Sequence, residues 1–295
     1  MIGAAPNLTK KEREYALAAL KQQQLVAGPY TDEFERNFAS HIKTKHAIAV
    51  NSCTAGLHLA YLALKELGGY NTIALPAMTH VATGFAAVYA GLKIQWDDAC
   101  VWDNQYTDKA LNIESTPKHV GVYSFFPTKN MTTLEGGMIA TNDDDVAEFC
   151  RHRRAFGYVR DGYEYDVPNL AFNYRMNEVE AAVGIAQLER LPQLQAQRYF
   201  NANILADRLD GEVIGDAYCF NIYRENRAEV MNWLQTHGIR ASIHYPRPVP
   251  HMTYFSHKGS FPKAERIART AISLPVGAHL NVDDMTAIVK ALKGV

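Results

Sequence analysis

From Tyr123 to Asp143 the chain reads YSFFPTKNMTTLEGGMIATND, and the single lysine in this stretch governs how the rest is read. VGVYSF before it and GGMIAT after it have the apolar, β-branched character of two short buried strands. Lys129 stands between them, beside a proline, two threonines, a glutamate and paired glycines. Surface lysines usually sit among other charges on a solvated helix face. An amine that is partly desolvated loses its preference for the charged form and becomes nucleophilic toward carbonyl carbon. By position alone, a lysine snorkelling out of a turn is the simpler explanation. The surrounding sequence has to decide.

Composition narrows the field. The chain has 295 residues, enough for one large or two moderate domains, and its 47% apolar and 21% charged content is that of a soluble globular protein. A formal net charge of -1 gives no global attraction to nucleic acid or to an anionic membrane. The four cysteines, Cys53, Cys100, Cys150 and Cys219, form no CxxC pair, so neither a metal site nor a disulfide framework is indicated and a reducing cytoplasm is expected. MIGAAPNLTKKERE lacks the basic-then-apolar order of a signal peptide. TIALPAMTHVATGFAAVYAGL, Thr72 to Leu92, is long enough to span a bilayer. Pro76, His80 and Gly84 interrupt it, and it reads instead as a strand, a turn and a buried helix.

Elsewhere strands and helices alternate. Thr9 and Glu12 form a capping box for a helix through KKEREYALAALKQQQL. Gly28-Pro29 stops that helix, and TDEFERNFASHI starts another with Thr31 or Asp32 as cap. HAIAV, TIAL and LKIQW are further strands, and TAGLHLAYLALKEL, VATGFAAVYAG and NDDDVAEFCRHRRAFG are helices. This order predicts an α/β layer architecture with a mostly parallel sheet. A long helical pattern from Met176 includes Pro192 as an expected kink or break. The division predicted is a large α/β domain over 1–195 and a small α+β domain over 196–295.

Two further features bear on Lys129. NSCTAGLHL places Ser52, Thr54 and unhindered amides at a helix start directly after a strand, a ready phosphate cradle as well as an ordinary N-cap. IQWDDAC ends an apolar strand in Asp97 and Asp98, which are either partners for a buried group or simply solvated. An amine, a phosphate cradle and a strand-end carboxylate are what a pyridoxal 5'-phosphate site requires. The amine holds the aldehyde, the helix end holds the phosphate, and the carboxylate keeps the pyridine nitrogen protonated.

SFFPTKNMTTLEGGMIATND, AVNSCTAGLHLAYLAL and FNYRMNEVEAAVGIAQLERL closely resemble the DegT/DnrJ/StrS family of pyridoxal-phosphate nucleotide-sugar aminotransferases. GPYTDEFERNFASH, MTHVATGFAAVYAG, GIRASIHYPRPV and SLPVGAHL fit it in the same order, so the resemblance runs nearly end to end. It implies the fold type I architecture and a homodimer with shared active sites. It also implies roles: Lys129 as the lysine that binds the cofactor, and Ser124, Thr54 and Ala55 at its phosphate. His80 takes the place of an aromatic stacked on the ring, and Asn173 reaches the partner subunit's cofactor. The segment between the YAG helix and the lysine motif is several tens of residues shorter than in the family. DDAC therefore matches either the family's EDAA strand end, making Asp98 the pyridine partner and a catalytic residue, or an earlier strand end, leaving that partner missing.

The activity so implied moves an amino group from an amino acid, glutamate first, to a keto-deoxysugar linked to a nucleotide. A sugar dehydratase using the same cofactor is disfavoured because such relatives replace the lysine by histidine. A trimmed homologue that binds cofactor or nucleotide sugar without turnover is the other alternative. RHRRAFGYVRDGYEY interleaves basic and aromatic residues, but as a helix end and loop in a chain of low net charge it is not expected to bind nucleic acid. His244 and Tyr245 either line the substrate mouth or belong to a plain loop.

Overall fold

A computed structural model describes residues 1–98, 109–112 and 120–294, the strand 109–112 by its backbone. The first helix, α1 (Lys10–Ala19), begins as its capping box dictates: the Thr9 hydroxyl accepts the Lys11 amide, and Glu12 accepts the Thr9 amide. The second, α2 (Pro29–Ile42), starts earlier than Thr31, with Gly28 as N-cap and Pro29 in the first turn. Its cap comes from far along the chain. The Glu178 carboxylate accepts the amides of Gly28, Tyr30 and Thr31 at 2.9, 2.7 and 3.1 Å, together with the Thr31 hydroxyl. A carboxylate at a helix N-terminus satisfies orphan amides and the macrodipole together, so no local cap is needed.

Strand β1 (His46–Val50) leads into α3 (Cys53–Gly68), capped by Ser52, whose hydroxyl accepts the Ala55 amide at 3.1 Å. Then come β2 (Thr72–Pro76), α4 (Val81–Tyr89) and β3 (Lys93–Asp97), so Thr72–Leu92 is a strand and helix as its sequence predicts. Among the described residues no helix is long and apolar enough to cross a membrane. Strands β4 (Lys109–Asn112), β5 (Val120–Ser124) and β6 (Gly137–Thr141) precede α5 (Asp144–Arg153).

The main sheet has the order β1-β6-β5-β4, and its described pairings are all antiparallel, where the alternation of strands and helices predicted a mostly parallel sheet; β6 returns directly between β1 and β5. Strands β1 and β5 therefore run in the same direction, and both deliver their C-terminal ends to one edge. β2 and β3 pair in parallel as a separate two-stranded sheet, bridged by α4. Ile48, Val50, Leu57, Leu59, Val122 and Ile139 join in the core between α3 and the main sheet. Gly56 is where this helix touches the sheet: a Cβ there would lie 2.9 Å from Val122 Cγ1.

A short hairpin, β7 (Val159–Asp161) with β8 (Glu164–Asp166), leads to α6 (Glu178–Ala206). This helix runs unbroken through Pro192, against the expected kink or break. Pro192 is exposed, while Leu188, Leu191 and Leu194 are buried, so the missing amide bond faces water and the packed face is undisturbed. The expected boundary at 195/196 lies inside α6. The first half of the helix packs with Phe34, Phe38 and Phe125, and Ala202 and Leu205 belong to the core of the C-terminal unit. That unit is the sheet β11-β10-β9, from β9 (Glu212–Ile214), β10 (Cys219–Tyr223) and β11 (Ala271–Pro275), with α7 (Arg227–Thr236), α8 (Pro262–Thr270) and α9 (Val282–Leu292). The N-terminus is tied to it, because Ile2 exchanges backbone bonds with Gly238 and Arg240 at 2.8 and 2.7 Å.

Glu178 is fully buried, so its removal strands three amides at once. Glu178→Ala should lower the unfolding free energy by about 3 kcal/mol in denaturant titration. A loss below about 1 kcal/mol would mean that water or a neighbour caps α2 equally well.

Candidate active site

The C-terminal end of β5 and the N-terminal end of α3 open onto one cavity of about 780 Å³. Asn51, Ser52, Cys53 and Thr54 line it from the start of α3, and Ser124, Thr128 and Lys129 from the end of β5 and the following turn. Thr79, His80 and Thr83 close one wall from the head of α4, and Tyr218, Ile243, His244 and Tyr245 close another from the C-terminal unit. The site thus lies at the junction of the two units, at strand ends, where α/β folds place their ligands.

The Lys129 ammonium lies over the Tyr218 ring, 4.8 Å from its centroid. Ser124 is buried at the last position of β5, and the hydroxyls of Ser52 and Thr54 belong to the same cavity. The first amides of α3 have no backbone partner within the helix, so with these hydroxyls they could hold an anion. Ala55, expected at this cradle, is instead buried one step below it, its amide held by the Ser52 hydroxyl. Gly137 lets the backbone of β6 approach from behind: a Cβ there would come within 2.7 Å of the Cys53 amide nitrogen. The Cys53 thiol is pushed up to about 12 by burial, with Lys129 opposing, so it stays protonated.

His80 stands at the mouth as N-cap of α4, its Nδ1 accepting the Ala82 amide at 3.2 Å and its ring edge-on to Tyr245 at 5.7 Å. Burial, then Lys129, holds its imidazole below the usual value. Deeper in, His244 is held at about 4, first by burial and then by Lys129 and His80. It packs edge-on to Tyr218 and Tyr245 at 5.6 and 5.4 Å. His244 and Tyr245 therefore line the site.

Asn173 is exposed outside the cavity lining, its carbonyl accepting from Asn51 at 3.3 Å and its side-chain oxygen accepting from Arg175. Asp98 is not brought to the cavity either. Its carboxylate accepts the amides of Lys263 and Ala264, both at 3.1 Å, at the first turn of α8. Strand β3 lies beside β2, outside the sheet that carries Lys129, and so delivers Asp98 to the C-terminal unit. Among the described lining residues the one carboxylate is Glu135. Among the described residues no group of three or more His, Cys, Asp or Glu side chains is arranged to hold a metal. Sequence reading missed Tyr218, Thr79 and Thr83: nothing local to them differs from a buried strand start or a helix entry.

The residues fit pyridoxal phosphate at two of its ends. Helix-end amides and three hydroxyls suit the phosphate, and the Lys129 amine shares their cavity for the aldehyde. For the pyridine nitrogen, the cavity lining among the described residues offers one carboxylate, Glu135.

The sequence pattern of the DegT/DnrJ/EryC1/StrS aminotransferase family matches residues 6–103 and 104–293. The junction between the two matches falls inside the segment read as shortened. The UDP-4-amino-4,6-dideoxy-N-acetyl-beta-L-altrosamine transaminase of Helicobacter pylori is 25% identical over 358 aligned residues, covering 97% of this chain and 95% of that protein. That span exceeds the 295 residues present here, so the relative carries residues this chain lacks. GDP-perosamine synthase of Caulobacter vibrioides is 32% identical over 247 residues, 66% of each chain. In structure, PseC of Helicobacter pylori, an aminotransferase involved in the biosynthesis of pseudoaminic acid, matches with a TM-score of 0.85 at 20% identity, covering 99% of this chain and 97% of that one. The sugar aminotransferase CalS13 of Micromonospora echinospora matches at 0.87 and 22%, covering 99% and 98%. The fold is that of fold type I aminotransferases, as the sequence implied.

Two outcomes follow from this geometry. Asp98→Asn removes the charge that caps α8 and should cost about 1 kcal/mol of stability, while capture of pyridoxal phosphate by the protein stays within about threefold of the parent. Loss of capture with unchanged stability would return Asp98 to the cofactor. The second concerns pH. A histidine whose folded pKa is about 4 and whose ordinary value is 6.5 binds its proton only when unfolded between those limits. His244 therefore costs stability as pH falls through that window, by up to about 3 kcal/mol. The stability of the cofactor-free parent minus that of His244→Gln should shrink by that amount from pH 7.5 to pH 4. A constant difference would show His244 to be charged in the native state.

Proposed function

Because this chain belongs to the DegT/DnrJ/EryC1/StrS aminotransferase family, we propose that it uses pyridoxal phosphate to move an amino group from glutamate to a keto-deoxysugar carried on a nucleotide. The observation that carries the reading is the meeting of the Lys129 amine with Ser52, Thr54 and Ser124 in one cavity. The names of the relatives, a GDP-linked synthase and a UDP-linked transaminase, support a nucleotide-sugar substrate.

When bound, the cofactor supplies an aldehyde that accepts the amino group and a ring that takes up electron density from the substrate carbon. The chain's own residues do the rest. Ser52, Thr54, Ser124 and the amides opening α3 would hold the phosphate and fix the register. Lys129 Nζ would hold the aldehyde and, when free, would be the base that takes up and gives back the proton moved in the exchange. His80 covers one side at the mouth. Leu57, Ile243 and Tyr245 line the cavity with apolar surface and limit water. Asn173, exposed beside Asn51, is proposed to act on the partner's cofactor in a homodimer.

A specific observation favours the second reading, a cofactor-binding homologue without turnover. Asp98 caps α8 rather than lining the cavity. One experiment separates the two. Borohydride reduction with pyridoxal phosphate should fix the label on Lys129, and glutamate should then bleach the visible absorbance of the unreduced protein, which a nucleotide-linked keto-sugar restores. Bound cofactor that no amino donor bleaches would defeat the transaminase and favour the binder. Label on another lysine would defeat both assignments of Lys129.

The shared site has its own check. Lys129→Ala and Asn173→Ala, each inactive, should recover part of the parent activity when refolded together. A monomer with full cofactor would overturn that arrangement.

A further inference from the structure

Resting on the reading of Lys129 as the lysine that binds the cofactor, we propose that Arg198 and Tyr218 are positioning residues that aim its amine. Neither residue follows from the lysine motif. Arg198 lies on α6 and is 4% exposed. One of its terminal nitrogens donates to the carbonyls of Thr128 and Lys129 at 3.3 and 3.1 Å. The other donates to Ala217 and Tyr218 at 3.4 and 3.2 Å. A single planar guanidinium therefore grips the peptide of the lysine and that of the tyrosine whose ring lies under the amine.

A second anchor lies on the far side of Lys129. Asn130 is 3% exposed, and its amide donates to Gln195 Oε1 at 3.0 Å and to the Asp216 carbonyl at 2.7 Å. Gln195 donates to that same carbonyl. The turns 128–130 and 216–218 are thus pinned together on both sides of Lys129 by residues of one helix. The phenol of Tyr218 meets the Thr128 hydroxyl at 3.3 Å, and the Lys129 ammonium sits 4.8 Å above the ring face. A lysine has four rotatable side-chain bonds. Fixing its backbone and giving its side-chain end a π-face removes much of the freedom that would otherwise delay attack on an aldehyde, which the nitrogen makes once it has given up its proton.

An ammonium at position 198 is a point donor and cannot serve four carbonyls in a plane. Arg198→Lys and Tyr218→Leu should each slow the capture of pyridoxal phosphate about tenfold. In that step the Lys129 nitrogen bonds to the aldehyde carbon and water leaves, and borohydride then adds hydride to the same carbon, so quenched samples report the rate. Binding of pyridoxamine phosphate, which carries no aldehyde and reads the cradle alone, should stay within about threefold. Tyr218→Phe, which keeps the ring face, should capture at close to the parent rate. If Arg198→Lys does not fold, the two tyrosine variants decide. Capture at the parent rate in folded Tyr218→Leu overturns the proposal, as does a parallel loss of pyridoxamine phosphate, which would mark general support of the cavity. A parent labelled elsewhere than Lys129 defeats the underlying reading. A correctly labelled parent with unaffected variants defeats only the positioning.

Discussion

A peptide group taken out of water must find a hydrogen-bond partner, and in this protein one helix supplies such partners along most of its length. From α6, Glu178 accepts the amides that open α2, and Gln187 accepts the Thr132 amide while donating to the Asn7 carbonyl. Arg198 donates to the carbonyls around Lys129 and Tyr218, and Asn201 donates to those of Val276, Gly277 and Leu280. Glu178, Gln187, Arg198 and Asn201 are all buried. The N-terminal segment, the lysine turn and the C-terminal unit are each referred to the same rigid rod. This explains why the helix passes through Pro192 without a break: its inner face is committed at both ends.

The site inherits its order from that arrangement. β5 and α3 bring a helix N-terminus and an amine to one edge of the main sheet, and the C-terminal unit adds Tyr218, His244 and Tyr245 from across the junction. The charges there are unevenly shared. Lys129 is flanked by imidazoles that burial keeps neutral and by a thiol that burial keeps protonated. An incoming anion meets one amine and a helix end, with Glu135 the one carboxylate among the described lining residues.

The family match breaks between residues 103 and 104, between β3 and β5, and one relative aligns over more residues than this chain has. Among the described residues β2 and β3 form a separate pair, and Asp98 accepts amides of α8. A carboxylate that accepts two helix amides is a strong cap wherever it comes from. Strand order, which no local pattern encodes, assigned it to that use.

The sequence by itself determined a good deal. The capping box at Thr9 and Glu12, the Ser52 cap of α3, the two strands around Lys129 and the small-residue motif between them follow from neighbours within a few positions, where propensity and periodicity act. The residues around Lys129 and at the Ser52–Thr54 helix start suggested a site by their own chemistry, while Ser124 and His80 came only from the family resemblance. Only the tertiary structure decided the rest. Glu178 caps a helix almost 150 positions earlier. Tyr218 comes under an amine that lies 89 residues before it in the chain. Asp98, in a motif that two alignments fit equally, goes to whichever helix the strand beside it can reach. These pairings are chosen by which buried polar groups meet when whole elements pack, and a linear pattern of residues carries no record of that meeting.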